Sequence, residues 1–323
     1  MIALLVLLQT TLSIAVAGPA TSPEYLPLRL ADAAGYFADE KIGVSLQSAR
    51  AEASPAEALG RGQVALAATS LDAALRLGHA SGTPPRLVFG LTAAPPVALV
   101  VSRARKDVIR ALPDLAGKTI GIPSPGTPAE LALFSLLGRA GIRRDQVSVV
   151  SYGERGLAGA IESGAVAAAI MGDPWVTRLV EEGKAVALAD LRNRGEAARW
   201  LGEPTVHAGI FARADTKLGR AELVPLTRAL LRALALLRTA TAKELEGKLP
   251  AAVIVGSEDF AVRLRGARES FLPDGWVSTE MLGASVALTR DRSPIPAKVD
   301  IPRRMDKLLL LAPLAEALGR RPP

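Results

Sequence analysis

Two hydrophobic periods alternate along most of this chain. Short runs of β-branched and aliphatic residues at 12–17, 44–47, 64–68, 86–91, 97–102, 119–122, 147–151, 166–171 and 185–188 predict strands. Between them, apolar positions spaced three and four apart predict helices over 26–36, 55–59, 71–77 and 157–162, and onward from Pro128 and Pro174. Strands that alternate with helices predict an α/β fold with mostly parallel sheets. Beyond Arg213 the period is helical: 223–237, 243–249, 258–271 and 280–287.

The stretch from Leu115 to Phe134 is the clearest unit, a strand over 119–122, a loop Ser124-Pro125-Gly126-Thr127, and a helix whose first residue is Pro128. Gly126 admits positive φ, and Thr127 is placed to cap the helix. A helix start of this kind offers free N–H groups to a small anion or a polarised oxygen; an ordinary βα turn is the alternative. Ligands of open α/β sheets bind at the carboxyl ends of strands. Ser22, Tyr25, Thr69, Ser70, Thr92, Ser124, Gly126, Thr127, Tyr152, Asp173 and Trp175 all fall at such ends. Tyr25 and Trp175 either cover a solute or pack under a loop. Thr69 and Ser70 cap a helix, with or without ligand contact, and Asp173 either accepts from a ligand or caps the helix that follows.

LAGKTIGI from Leu115 and the Ser/Gly/Thr loop after it resemble the second-lobe opening of solute-binding proteins of ABC importers, in the nitrate, sulfonate, taurine and thiamine-pyrimidine-precursor superfamily. YLPLRLA from Tyr25 with Gly35-Tyr36-Phe37, GQVALAAT from Gly62, and IESGAVAAAIMGDPW from Ile161 resemble the same family in the same order. The resemblance implies a type II periplasmic-binding-protein fold of two α/β lobes joined by two crossings around a ligand cleft. Lobe one would be discontinuous, 1–95 and 207–323 with a helical tail, and lobe two would be 96–206. It further implies an extracytoplasmic, monomeric protein that captures a small polar or anionic organic solute and hands it to an ABC permease and its ATPase. The hydroxyls and the Gly126 amide would hold polar oxygens, with Tyr25 and Trp175 against the apolar part. Relatives on this fold also include cytoplasmic menaquinone-pathway dehydratases or lyases, an enzyme alternative that needs a cleft acid or base, for which Asp173 is the candidate.

Composition adjusts this picture in four places. There is no cysteine, so disulfides, thiolate metal sites and a Cys nucleophile are excluded. The two histidines, His79 and His207, lack partners at metal-ligand spacing, and no P-loop, Rossmann fingerprint, nucleophile elbow or H-E-x-x-H occurs, so neither cofactor nor catalysis is expected. The net charge of +7 comes from 39 basic residues scattered among 32 acidic ones, a distribution that argues against nucleic acid and favours anionic or neutral ligands over cations. Finally, 1–8 is wholly apolar and Ala15-Val16-Ala17 offers a signal-cleavage pattern, but a cut there would remove the first strand, so 1–10 is read as the remnant of a leader.

Overall fold

Ten strands segregate into two five-stranded sheets. The structure, a computed structural model, describes residues 11–49, 51–292 and 295–321, so the leader reading of 1–10 lies outside the described residues. The first sheet contains β1 (Leu12–Val16), β2 (Val44–Ser48), β3 (Leu66–Ser70), β4 (Arg86–Thr92) and β10 (Ala208–Ala212), in the order β2-β1-β3-β10-β4. The second contains β5 (Val97–Ser102), β6 (Thr119–Ile122), β7 (Ser148–Ser151), β8 (Ala168–Gly172) and β9 (Ala185–Asp190), in the order β7-β6-β8-β5-β9.

Four strands of each sheet run one way and a single strand opposes them. In the first sheet β10 is antiparallel to both β3 and β4; in the second β5 is antiparallel to both β8 and β9. These are the two strands on which the chain enters a sheet from the other one, so each arrives against the βα current and sits one place in from an edge. Two crossings, 93–96 and 202–207, therefore join the sheets. They are tied to each other where buried Thr205 Oγ1 donates to the Ala93 carbonyl at 2.7 Å.

Fourteen helices clothe the sheets in the described residues: α1 (Leu26–Ala33), α2 (Tyr36–Asp39), α3 (Ala53–Gly60), α4 (Leu71–Leu77), α5 (Pro128–Arg139), α6 (Gly153–Glu162), α7 (Trp175–Glu181), α8 (Arg194–Leu201), α9 (Arg220–Thr239), α10 (Ala242–Glu246), α11 (Ala251–Ile254), α12 (Ser257–Arg268), α13 (Thr279–Arg292) and α14 (Ala312–Ala317). One face of the first sheet packs on α1, α9 and α12 through Leu28, Phe89, Ile210, Leu230 and Phe260; the other packs on α3, α4 and α13 through Leu59, Leu75, Phe211 and Leu282. The second sheet does likewise, with α5 and α8 on one face and α6 and α7 on the other. Burial on both faces is why β5 reads as a nearly continuous apolar run and why even Thr69 and Ser70 at the end of β3 are buried.

Local signals set most helix starts. Ser70 Oγ accepts from Ala73 N, Thr127 Oγ1 from Glu130 N, and Asn193 Oδ1 from Gly195 N. Where the elements differ from the periodicity, pairing or backbone conformation explains it. The helix expected over 26–36 ends at Ala33, because Gly35 takes a left-handed φ of 74° and α2 starts afresh. Strand 64–68 shifts to Leu66–Ser70, since pairing with β1 begins at Ile14↔Leu66. No helix among the described residues is long and apolar enough to cross a membrane.

Candidate ligand cleft

Loops from both sheets converge at the carboxyl ends of their strands. In the first lobe the convergence centres on a residue that sequence reasoning passed over, Glu52, which follows β2 and immediately precedes α3. Its Oε1 accepts from the Tyr25 hydroxyl at 2.5 Å and from Ser70 N at 2.7 Å, and its main-chain carbonyl accepts from Thr69 Oγ1 at 2.8 Å. Tyr25, Thr69 and Ser70 are thus brought together, but with their polar atoms already engaged. Tyr25 is 1% exposed and its ring belongs to the lobe-one core, so it is a packing aromatic whose hydroxyl braces Glu52, and it does not cover a solute. Burial and the two nearby carboxylates, Glu52 and Glu24, hold that hydroxyl protonated far above its ordinary range.

Ser22 is half-buried beside the turn of Pro23–Tyr25. Thr92, at the end of β4, is fully buried, and its Oγ1 has no hydrogen-bond partner. Beside Ser22, Glu24 is the second residue that was missed. Burial, the charge of Glu52 and the charge of Glu154 raise its pKa from 4.5 to about 8. Burial raises Glu52 too, against the pull of its hydrogen bonds to Tyr25 and Ser70, and it raises Glu154. Glu154 is an exposed residue in the first turn of α6, so its carboxyl remains open to solvent. The signal that could have found these residues was present: each follows a strand's carboxyl end, and Glu24 lies between two positions that the same rule selected.

The second lobe is organised differently. The Gly126 amide, expected to hold a ligand oxygen, donates instead to Glu130 Oε2 at 2.7 Å, and Arg144 binds the other oxygen of Glu130 at 3.2 Å. Thr127 Oγ1 donates to the Ser124 carbonyl at 2.7 Å while capping α5. Glu130 is 7% exposed, so the positive end of α5 is met from within by a carboxylate, and an incoming anion would meet repulsion there. Ser124 and Gly126 are exposed, and Tyr152 is 42% exposed at the end of β7.

Asp173 is the plainest departure. Both of its oxygens accept from Arg192 Nη1 at 2.9 Å, Oδ1 also caps α7 through Thr177 N at 3.0 Å, and its side chain is only 5% exposed. Arg192 is further held by Asp190 at 2.7 Å. A Cβ on Gly266 would stand 1.8 Å from Asp173 Oδ2, so only glycine lets α12 come this close. A carboxylate so enclosed serves as neither ligand acceptor nor acid-base group. Trp175 packs on the α6–α7 core with the Arg178 guanidinium 5.8 Å from its ring centre. Arg178 then pairs with Asp259, and Arg265 with Glu181 at 2.9 Å, so α7 and α12 join the lobes on this flank.

Two sheets with reversed entry strands, joined by two crossings under a polar cleft, define the periplasmic-binding-protein fold. The chain belongs to the NMT1/THI5-like family, whose model matches residues 22–230. No match was found among curated protein sequences. Among solved structures it is similar over 96% of its length to 98% of a protein from Bordetella bronchiseptica RB50, with a TM-score of 0.76 and 22% identity. It is also similar to the periplasmic aliphatic sulphonate binding protein SsuA from Escherichia coli, with a TM-score of 0.70, 18% identity and 91% of each chain covered. With the periplasmic nitrate-binding protein NrtA from Synechocystis PCC 6803 the TM-score is 0.63 and the identity 12%, over 96% of this chain and 89% of that one. At these identities the likeness shows the fold, and the solute is a separate question.

Proposed function

We propose that this chain is an extracytoplasmic, monomeric solute-binding protein that captures one small polar organic solute between its lobes and delivers it, unaltered, to the permease of an ABC importer. One observation carries the reading: the two sheets are joined by two crossings, and the cavity beside those crossings is lined from both lobes, by Ser70, Leu71 and His207 from one and by Pro128 and Leu131 from the other. The family and its periplasmic neighbours support it. Of the sulfonate, nitrate, taurine and pyrimidine-like classes, the carboxyl groups weigh against nitrate and simple sulfonates and towards solutes bearing nitrogen donors.

The test is thermal unfolding with a broad panel, followed by mass spectrometry of the recovered solute. A ligand at a hundred times its dissociation constant adds about 2.7 kcal/mol, a shift of a few degrees for a chain of this size. A hit recovered intact supports the reading. A hit recovered altered supports an enzyme on the same fold, for which Glu24, an acid still protonated near neutral pH, is the observation in favour.

A further inference from the structure

The cavity beside the crossings has a volume of about 90 Å³ and is bordered by α4, α5, α13 and both crossing segments. Its walls are largely apolar, with Leu71, Ala94, Leu131, Val206 and Leu288 among them. Of the residues that line it, only Asp72 and His207 can ionise, and Asp72 is paired with Arg76 at 3.2 Å. No lysine or arginine stands among the lining residues. The helix starts that border the cavity are answered as well, because Asp72 and Glu130 lie in the first turns of α4 and α5. An anion entering here would meet carboxylates and no wall cation, and an ion of either sign would exchange its hydration for aliphatic groups.

The polar side chains of the wall are engaged, with one exception. Ser135, Thr205, Ser285 and Thr289 each donate a hydroxyl to a main-chain carbonyl, and Ser70 Oγ caps α4. His207 differs: its Nε2 is buried and has no hydrogen-bond partner among the described residues. Burial lowers the pKa of this ring to about 3, so it is neutral and carries one donor and one acceptor nitrogen. A buried nitrogen left unpaired costs about 1–3 kcal/mol, which a ligand completing the bond recovers. Ordered water needs two to four polar partners, so an organic group with one polar atom suits these walls better.

Resting on the solute-binding reading above, we propose that the solute is a small uncharged organic molecule, an amide or an alcohol, whose aliphatic end fills this cavity and whose polar group pairs with His207. The walls decide the charge, because they hold no group that would replace the hydration of an ion. The ring decides the polar group, because an amide or a hydroxyl both donates and accepts and so matches either tautomer of His207. Volume limits the buried part to a few heavy atoms, since a cavity of about 150 Å³ is one that admits benzene.

The experiment titrates the whole chain, by ligand-detected NMR, with four probes of one shape: isobutyramide and isobutanol, which are uncharged, isobutyrate, an anion, and isobutyramidine, a cation. The two uncharged probes are expected to bind, and the two ions to bind about tenfold more weakly or not at all. His207→Leu, which removes the ring nitrogens, should weaken isobutyramide about tenfold. Leu131→Phe on α5 and Leu288→Phe on α13 fill the cavity from different sides, so that one remains if the other fails to fold, and each should abolish binding of the uncharged probes. Isobutyrate or isobutyramidine binding as tightly as isobutyramide overturns the inference, as does binding of the uncharged probes that survives in folded Leu131→Phe or Leu288→Phe. Silence of both uncharged probes also overturns it, and a hit elsewhere in the broad panel then leaves the solute-binding reading standing. Silence of all four probes and of the broad panel, or recovery of an altered probe, overturns both.

Discussion

The two lobes repeat one architecture and treat their polar groups in opposite ways. In lobe two, two carboxylates near the strand ends are consumed internally, Glu130 by Gly126 and Arg144 and Asp173 by Arg192 and the first turn of α7, while Glu154 at the start of α6 stays exposed. In lobe one Glu52 is braced by Tyr25 and Ser70 and, among the described residues, meets no cation, while Glu24 shows no such brace there. A carboxylate with a fixed guanidinium beside it is structural; a carboxylate propped in place without one is poised for recognition. The same residue type at equivalent places in two related sheets therefore has two meanings, and only the partner separates them.

That contrast can be broken by mutation, and the largest effect should come from the lobe that has closed its network. Arg192→Ala leaves Asp173 enclosed without its cation and should cost about 3–5 kcal/mol, read as a lower midpoint in urea at unchanged slope. A loss below about 1 kcal/mol would mean that water reaches Asp173 and that the pair is not structural.

Glu24→Gln should act in the opposite direction, and its effect depends on pH. The folded chain holds the Glu24 proton up to about pH 8, while the unfolded chain releases it near 4.5. Between those values the folded state binds more protons, so this group's contribution to stability falls as pH rises. The variant should match the parent at pH 4 and exceed it by about 1–3 kcal/mol at pH 9, less than the full shift converts to because Glu24 is only partly buried. His207 has the reverse sign: with its pKa lowered to about 3, its contribution is present above 6.5 and is lost as pH falls towards 3.

Glu130→Ala should cost about 1–2 kcal/mol, because it removes the acceptor of Gly126 N–H and the partner of Arg144. It also sharpens the comparison between the lobes. With the carboxylate gone the start of α5 is free to take an anion, so sulfate should stabilise this variant more than the parent. The smallest effect belongs to Arg220→Ala, whose exposed pair with Glu316 spans solvent, and no measurable change in melting temperature is expected.

The sequence by itself determined the layers. Period-two runs, helical spacing, and caps such as Thr127 before Pro128 are local properties, settled within a few residues of chain, so the βα alternation and the set of loops at the strand ends were legible without coordinates. Only the tertiary structure decided what those loops do. Gly126 meets Glu130 four residues on, but Asp173 meets Arg192 across nineteen, Tyr25 meets Glu52 across twenty-seven, and Glu24 meets the field of Glu154 from another sheet. A polar side chain's role depends on which opposite group is delivered to it and on how much water remains. Both are set by how distant segments pack, which no local stretch of sequence encodes.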